Sequence, residues 1–453
     1  MRDGRVLVVG TTADYIDLIN SRYPGRALFV TDFRERQKAR EAAPGPGVEV
    51  LADLSRAGQV NSVLLEHLER RHQKVSGVTS FDCESMELAA HLAASFGLPY
   101  PSPEVIRLVR DKFRTKQVWQ ERGVSSPRAA LVESERDALS FGDRVGYPLV
   151  LKPLTGSGSE LTFKCLDRAE CARHFHLVKS GLAARDGSRM YSAPVDDAGG
   201  PNPLSVIVAE EFVEGSEYSC DFIIESDCVR IIRVAGKIRS TSLAFGTTLA
   251  YLLPAELPDG LDRTCLAERL RSASRALGID RAVCMVDFIV RDKQPCFLEL
   301  TPRPGGDCLP PLIMRSCGLD MLGLALDFAE GRPITVPPES EWSRLVGARM
   351  FAATRGTIRR LNTTAVTAHP GVAECYLKRA TGHVVKLPPE DYDSWLLGHV
   401  IFRPSSLDYD QIEQESEAIA SRLDVEFETR HDQKFRGLRS SHRRLAKTAD
   451  TSA

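Results

Sequence analysis

Short apolar runs alternate with helix-like stretches in the N-terminal part of the chain, and this pattern narrows the possible folds. Val6–Val9 is an apolar run closed by Gly10, a pattern typical of a buried strand followed by a turn. Further strand-like runs are Ala27–Val30, Val48–Leu51 and Val75–Phe81, and the helix-like stretches are Asp32–Ala43, Asn61–Arg71 and Asp82–Phe96. Strands that alternate with helices predict a doubly wound parallel sheet.

Proline-rich segments divide the remaining chain. Pro99, Pro101 and Pro103 place a first boundary near residue 104, and residues 332–344 have the composition of a second linker. We therefore predict an N-terminal α/β domain at 1–104, a central domain at 105–335, a small α+β domain at 340–428 and a tail at 429–453. The tail holds seven Lys or Arg residues against two Asp residues, so we expect it to be disordered and solvated.

Three segments of the central domain have local patterns that predict their structure. The pattern over Glu104–Gly123 predicts one continuous helix, and Glu160–Cys165 reads as a strand. Residues 185–203 are rich in Gly, Pro and Asp, which predicts a mobile loop and a candidate lid.

Composition excludes several classes of protein. The 453 residues carry a net charge of −2, which gives no general attraction to nucleic acid or to an anionic membrane. Eleven cysteines without a C-x-x-C motif argue against a disulfide framework or a structural zinc site. No apolar run approaches the roughly 20 residues that span a bilayer. We therefore expect a soluble cytoplasmic protein with no nucleic-acid or membrane partner.

Common nucleotide and hydrolase motifs are missing from the sequence. No G-x-G-x-x-G follows the first apolar run, and no G-x-x-x-x-G-K-[ST], H-E-x-x-H or G-x-S-x-G is present. A nucleotide must therefore be bound by another architecture.

Two lysines are candidates for phosphate binding. Lys112 follows Asp111 in a predicted helix, and by itself it is typical of a solvated charge pair. Lys152 ends an apolar strand, where an ammonium group needs an anionic partner. The turn that follows it consists of Thr155, Gly156, Ser157, Gly158 and Ser159. Its glycines allow the backbone to approach phosphate oxygens, although a plain β-hairpin turn fits as well.

A second segment has the features of a purine-binding hinge. A strand ends in Glu210, Glu211, Phe212 and Val213, and Glu217 follows a short turn. Backbone groups of such a hinge can read a purine edge, and Glu217 can accept hydrogen bonds from ribose hydroxyls. An acidic surface turn is the alternative.

The strongest signal is a pair of carboxylates in a predicted hairpin. Asp287 lies within the apolar run Val283–Val290, and Glu299 lies twelve residues later in the next strand. A carboxylate in so apolar a strand should be protonated, paired or bound to a cation. Two carboxylates on adjacent strands offer hard oxygen ligands suited to Mg²⁺.

The residues after Glu299 extend this candidate site. Side chains two apart share a strand face, so Glu299, Thr301 and Arg303 should point the same way. Pro302 and Pro304 favour the rim of the sheet. Arg303 could then hold a phosphate, or it could form a buried structural ion pair with an acid.

Taken in chain order, these motifs resemble the ATP-grasp superfamily over nearly the whole chain. The similarity is to its carboxylate–amine ligases, which include the L-amino acid ligases. The stretches 356–359, 369–372 and 398–401 are similar to the small closing domain of those enzymes. The resemblance implies an α/β and α+β fold: an N-terminal parallel-sheet domain, a two-subdomain ATP-grasp core and a small C-terminal domain.

The resemblance also implies roles for the candidate residues. Lys112 and Lys152 would hold the ATP phosphates under the Thr155–Ser159 turn, Glu210, Glu211, Phe212 and Val213 would bind adenine, and Glu217 would bind ribose. One or two Mg²⁺ ions, or Mn²⁺, would be held by Asp287, Glu299 and Thr301, and Arg303 and Lys152 would be catalytic. Thr301 replaces the Asn that is usual in the family and Asp287 replaces a frequent Glu, so a weaker second metal is expected.

The function implied is ATP-dependent coupling of a carboxylate, activated as an acyl phosphate, to an amine, with release of ADP and phosphate. Small-molecule, amino-acid-like substrates are implied, and a homodimer is left open. The segment Gly236–Tyr251, with Lys237 and Arg239, is expected to line the substrate site. The alternatives are a carboxylate–thiol ligase, a carboxylase component, or an ATP-binding regulatory protein without turnover.

Overall fold

The computed structural model describes residues 4–192 and 200–428. The chain divides into two compact units, Met1–Leu345 and Val346–Ala453. The predicted boundary near residue 104 lies inside the first unit. The predicted basic tail and part of the predicted 185–203 loop lie outside the described residues, so their expected disorder and mobility stay predictions.

The first unit begins with the predicted parallel sheet. Its elements are β1 (Arg5–Val9), α1 (Ala13–Arg22), β2 (Ala27–Asp32), α2 (Phe33–Lys38), β3 (Glu49–Ala52), α3 (Ala57–Arg71), β4 (Val75–Thr79) and α4 (Met86–Ser95). The strands pair in the order β3-β2-β1-β4, and every pairing is parallel, which confirms the predicted doubly wound sheet. All six residues of β2 are buried, as expected for a strand with helices on both faces.

Two short helices replace the single helix predicted over Glu104–Gly123. They are α5 (Pro103–Arg110) and α6 (Lys112–Glu121), and that prediction was wrong. Asp111 leaves the helical conformation at φ −83° and ψ 100°, and its carboxylate accepts hydrogen bonds from the backbone N–H groups of Phe113 and Arg114. Asp111 is therefore an N-cap, and the break places Lys112 at the first position of α6.

A small antiparallel sheet follows. Its elements are β5 (Ala129–Val132), α7 (Glu135–Val145), β6 (Leu149–Pro153), β7 (Phe163–Cys165), α8 (Arg168–Ala183) and β8 (Ile207–Glu211), with a 3₁₀ turn at Arg189–Tyr191. The strand order is β5-β8-β6-β7. Strand β7 is shorter than the predicted Glu160–Cys165, because Ser159 and Leu161 adopt φ values of 60° and 54°, which a strand cannot accommodate.

A larger antiparallel sheet completes the first unit. Its elements are β9 (Ser216–Glu225), β10 (Cys228–Arg239), β11 (Thr248–Leu253), α9 (Arg263–Ala276), β12 (Arg281–Arg291), β13 (Gln294–Thr301), α10 (Leu309–Cys317) and α11 (Met321–Ala329). These strands run in the order β13-β12-β9-β10-β11. The sheet packs against α6 and α9 through a core that contains Trp119, Phe222, Leu270 and Phe288.

The second unit is a small α+β module. Its elements are β14 (Leu345–Phe351), β15 (Gly356–Asn362), α12 (Thr364–Thr367), β16 (Val372–Leu377), β17 (Val384–Val385), β18 (Leu396–Phe402), α13 (Tyr409–Ala420) and β19 (Asp424–Phe427). Strand β18 pairs antiparallel with β14 and β16, and β15 pairs antiparallel with β17 and β19. Within residues 4–192 and 200–428, no helix has both the length and the apolar character needed to cross a membrane.

One ion pair of the larger sheet is buried completely. The Nε of Arg233 on β10 donates to Asp221 Oδ2 on β9 over 2.7 Å, and both side chains are 0% exposed. The second oxygen of Asp221 accepts from the backbone N–H of Gly305 at 2.9 Å. The pair therefore also anchors the turn that follows β13.

We expect Asp221→Asn to lower the free energy of unfolding by about 3–5 kcal/mol, because the charge of Arg233 would stay buried without its counter-ion. The matched control is Asp143→Asn, which breaks the exposed ion pair with Arg168 (2.6 Å) and should have a much smaller effect, because solvent screens the pair. Urea-induced unfolding of the two variants measures the difference. Equal losses of unfolding free energy in the two variants would contradict the claim that burial makes the Asp221–Arg233 pair more important for stability.

Candidate functional site

One cavity of the first unit lies between the small and the large antiparallel sheets. Every residue predicted to bind the nucleotide lines it: Lys112, Lys152, Thr155, Gly156, Ser157, Gly158, Ser159, Glu210, Glu211, Phe212, Val213 and Glu217. Asp287 and Glu299 also line the cavity, whereas Thr301 and Arg303 do not. The fold thus brings five separated segments of the chain to one place.

The two predicted acids face each other across a strand pair. In the register of β12 and β13, Asp287 lies opposite Glu299 and Met285 lies opposite Thr301. Thr301 therefore follows Glu299 on the same strand, two residues further on. The predicted hairpin is confirmed by this antiparallel pairing.

Glu299 and Lys112 carry opposite charges that are not neutralised by direct partners. Among the described residues, Glu299 forms no ion pair or hydrogen bond, and Lys112 Nζ donates only to the Gly156 carbonyl at 2.7 Å. Burial opposes ionisation of Glu299, but Lys112 and Lys152 outweigh it and lower its pKa. Burial also lowers the pKa of Lys112. Charged groups of this kind are candidates for ligand binding.

Asp287 already has a cationic partner. Lys237 Nζ on β10 lies 2.8 Å from Asp287 Oδ2 and 2.6 Å from Glu217 Oε1, while Arg239 pairs with the other oxygen of Glu217. Burial raises the pKa of Asp287, although Lys237 acts in the opposite direction. In the part of the chain that the structure describes, Asp287 Oδ1 takes part in no hydrogen bond or ion pair, whereas Oδ2 pairs with Lys237.

A second buried cluster lies deeper in the same region. Glu210 on β8 is contacted by two ammonium groups, Lys116 Nζ at 2.7 Å and Lys152 Nζ at 2.8 Å. The Lys116 contact is an ion pair without hydrogen-bond geometry, so Glu210 Oε1 lacks a hydrogen-bond donor. Burial lowers the pKa of Lys116 to about 8. The carboxylate of Glu211, in contrast, turns away from the cavity to Arg128 and Arg291.

The turn after β6 has the conformation that its glycines permit. Gly156 and Gly158 adopt φ values of 120° and 66°, and a Cβ at Gly156 would lie 3.2 Å from the Tyr191 ring. Ser159 Oγ donates to the Gly246 carbonyl at 2.7 Å, which ties this turn to the segment before β11. Thr155 Oγ1 donates to Met190 O at 3.1 Å, which connects it to the 3₁₀ turn.

Aromatic side chains border the hinge after β8. The ring centroids of Phe212 and Phe245 lie 6.4 Å apart, and Lys164 Nζ lies 3.9 Å from the centroid of Phe212. These rings give the cavity an apolar wall next to its charged groups.

Arg303 lies apart from the cavity, after the end of β13. Its Nε and Nη2 donate to Cys83 Sγ at 3.2 and 3.1 Å, and Nη1 donates to the Pro304 carbonyl. Within residues 4–192 and 200–428, it forms no ion pair with a carboxylate, so these residues do not supply the acid of the alternative structural ion pair. Its guanidinium group therefore lies beside Cys83, in the segment that follows β4.

Sequence reasoning missed Lys116, and it assigned Lys237, Arg239 and Phe245 only to a substrate site. Lys116 follows Lys112 by four residues, and this spacing could have predicted that both side chains lie on the same face of the helix. The partnership of Lys237 with Asp287 and Glu217 had no signal, because it joins strands through tertiary pairing.

The carboxylates of Asp287 and Glu299 are too few to hold Mg²⁺ by themselves and would need further oxygen ligands from a bound molecule. In the described parts of the chain, no three or more His, Cys, Asp or Glu side chains are grouped to hold a metal ion. The two carboxylates that line the cavity leave positions that phosphate oxygens and water can fill, which is how Mg²⁺ commonly binds at nucleotide sites.

The part of the chain that holds most of the cavity matches a known domain family. Residues 145–311 match the family model described as the ATP-grasp domain. This match confirms the family resemblance drawn from the order of the motifs.

Individual relatives extend the comparison. The chain is 25% identical over 309 residues to a D-alanine–D-alanine ligase of Ralstonia pickettii, covering 66% of this chain and 82% of that protein. Among solved structures, the L-amino acid ligase of Bacillus licheniformis matches with a TM-score of 0.72 at 17% identity, covering 95% of this chain and 100% of the other. A biotin carboxylase domain from Hydrogenobacter thermophilus, in complex with MgADP, matches with a TM-score of 0.63 at 15% identity, covering 94% and 91%.

Proposed function

We propose that this chain is an ATP-dependent ligase that activates a carboxylate as an acyl phosphate and joins it to an amine, with release of ADP and phosphate. The substrates are small, amino-acid-like molecules, in keeping with the ligases among its relatives. A cytoplasmic location and a homodimer stay predictions.

One observation carries the proposal: a single cavity holds charges of both signs without neutralising partners. Lys112 offers an ammonium group to an anion, and Glu299 offers a carboxylate to a cation. Because burying unpaired charge is costly, such groups persist where a ligand uses them. A nucleotide triphosphate with a divalent cation supplies both complements.

The cavity also fits the remainder of ATP. The Thr155–Ser159 turn, with its backbone N–H groups, covers the phosphates that Lys112 and Lys152 hold. The purine lies against Phe212, and its edge is read by the backbone of Glu211 and Val213. Glu217 accepts hydrogen bonds from the ribose hydroxyls while its carboxylate stays paired with Lys237 and Arg239.

Mg²⁺ fits the oxygens at the strand pair. Glu299, Asp287 Oδ1 and Thr301 Oγ1 would hold it, with nucleotide oxygens completing the coordination. When bound, Mg²⁺ neutralises charge on the transferring phosphoryl group. Lys237 then neutralises Asp287 and Glu217 from the opposite side.

The chemistry required of the chain is positioning and charge stabilisation. The substrate carboxylate attacks the γ-phosphorus in line, while Lys112 and Lys152 hold the leaving diphosphate. The amine then attacks the acyl phosphate, and Arg303 stabilises the oxyanion of the tetrahedral intermediate. The Thr155–Ser159 turn limits the access of water to the acyl phosphate.

A product screen tests the proposal. Purified protein is incubated with Mg-ATP and a mixed amino-acid pool, and products are analysed by mass spectrometry together with ADP release. Amide products with stoichiometric ADP are expected. Thioesters or carboxylated products would assign the alternative acceptors, and tight ATP binding without turnover on any carboxylate–amine pair would contradict a ligase.

Thr301 provides a test of the metal site. We expect Thr301→Asn to lower the Mg²⁺ concentration at half-maximal activity by about tenfold, because an amide carbonyl is a stronger hard-oxygen ligand than a hydroxyl. Thr301→Val keeps the shape and removes the oxygen, so it should shift the midpoint in the opposite direction. Magnesium titrations of ADP release measure both variants, and identical midpoints would exclude Thr301 from the metal site.

A further inference from the structure

A lysine that does not reach the cavity lies behind the residues proposed to hold the nucleotide. The side chain of Lys116 on α6 is 1% exposed, and it is absent from the cavity wall. Its ammonium group lies 2.7 Å from Glu210 Oε1, donates to Leu298 O at 2.9 Å and lies 3.5 Å from Lys112 O. Lys116 cannot contact a ligand directly.

These three acceptors belong to the three elements that carry the site. Lys112 begins α6, Glu210 lies on β8, and Leu298 on β13 directly precedes Glu299. One ammonium group therefore links a helix with a strand of the small sheet and a strand of the large sheet. Such a bond network fixes the relative placement of charged side chains that no single element could position.

The charges of the cluster explain why a cation is needed at this place. Glu210 is 4% exposed and shares its negative charge between Lys116 and Lys152, whose side chain is 12% exposed and lines the cavity. Two ammonium groups and one carboxylate leave a net positive charge at the cavity wall. Without Lys116, the charge of Lys152 would be cancelled by Glu210 alone.

We propose that Lys116 is a positioning residue that neutralises Glu210 from behind and so makes the positive charge of Lys152 available to the nucleotide phosphates. This inference rests on the proposed function only in requiring that the cavity binds ATP. It assigns a role in nucleotide affinity to a side chain that touches neither the nucleotide nor the metal.

A double-mutant cycle tests the proposal by isothermal titration calorimetry of ATP binding to the full chain. Lys116→Met should weaken ATP binding by about tenfold or more when Glu210 is present. In a Glu210→Gln background the same substitution should change the affinity by less than about threefold, because no carboxylate remains to capture Lys152. Equal losses in the two backgrounds would overturn the proposal.

A second ligand separates charge from general damage to the site. Adenosine lacks phosphates, so Lys116→Met should weaken adenosine binding far less than ATP binding. Comparable losses for the two ligands would show that Lys116 only supports the fold, which overturns the proposal. Lys179→Met is the control, since Lys179 Nζ donates to Ser205 O outside the cavity.

Two further outcomes keep the result interpretable. If Lys116→Met does not fold, Lys116→Gln retains a donor for the Leu298 carbonyl without the charge, and the same weakening of ATP binding is expected. The double-mutant cycle measures ATP binding without a carboxylate or amine substrate, so its result stands even if no ligase product is found. Absence of ATP binding by the unmodified chain would overturn this inference and the proposed function together.

Discussion

Replacing Glu299 with Gln should reduce the turnover number for ADP release by about 10³-fold or more. Glu299 is the carboxylate of the cavity without a protein partner among the described residues, and it faces Asp287 across the strand pair. Loss of its charge removes the strongest ligand proposed for Mg²⁺, whose stabilisation of the transferring phosphoryl group amounts to several kcal/mol. Steady-state ADP release at saturating Mg-ATP measures the effect.

The same variant gives a second readout in the absence of metal. Glu299→Gln removes a negative charge that acts on Lys112, so metal-free ATP should bind at least as tightly as it does to the unmodified chain. Glu268→Gln, on the exposed face of α9, is the matched control and should leave both quantities unchanged. Parental turnover in Glu299→Gln would remove the metal site from the mechanism.

Arg303→Lys should lower the rate of amide formation by about 10²-fold, the effect typical of losing one oxyanion donor. A lysine keeps the positive charge but lacks the planar guanidinium group, whose Nε and Nη2 both donate to Cys83 Sγ. Because Arg303 lies outside the nucleotide cavity, the dissociation constant of ATP should change by less than about threefold. Product formation and nucleotide titration together measure this separation.

Arg271→Lys is the control for the Arg303 substitution, since Arg271 is exposed on α9. A large loss of ATP affinity with unchanged amide formation would mean that Arg303 binds the nucleotide instead. Similar losses of ATP affinity and of amide formation would mean that the substitution has displaced the turn after β13.

Much of the site followed from local patterns in the sequence. The apolar run around Asp287 and the twelve residues to Glu299 predicted a hairpin, and the register pairs these two residues. The strand end at Lys152 and the turn at Gly156–Gly158 could be predicted because both depend on residues that are close together in the sequence.

Other parts required knowledge of the folded chain. The break at Asp111 was missed because an Asp in a helical pattern reads as a solvated charge, whereas here it caps α6. Glu210 was predicted as a hinge residue, but its two lysine partners come from α6 and β6. Such pairings depend on sheet order, which the sequence does not encode locally.

Local sequence patterns were sufficient to predict the parallel sheet of the N-terminal part and the kinds of residue that build the site. These depend on periodicity and turn chemistry within a few residues. Only the tertiary structure decided which charges are neutralised: Lys237 satisfies Asp287, Lys116 satisfies Glu210, and Glu299 has no partner among the described residues. The physical reason is that Coulombic pairing depends on distance and burial, and both are set by how distant strands and helices pack.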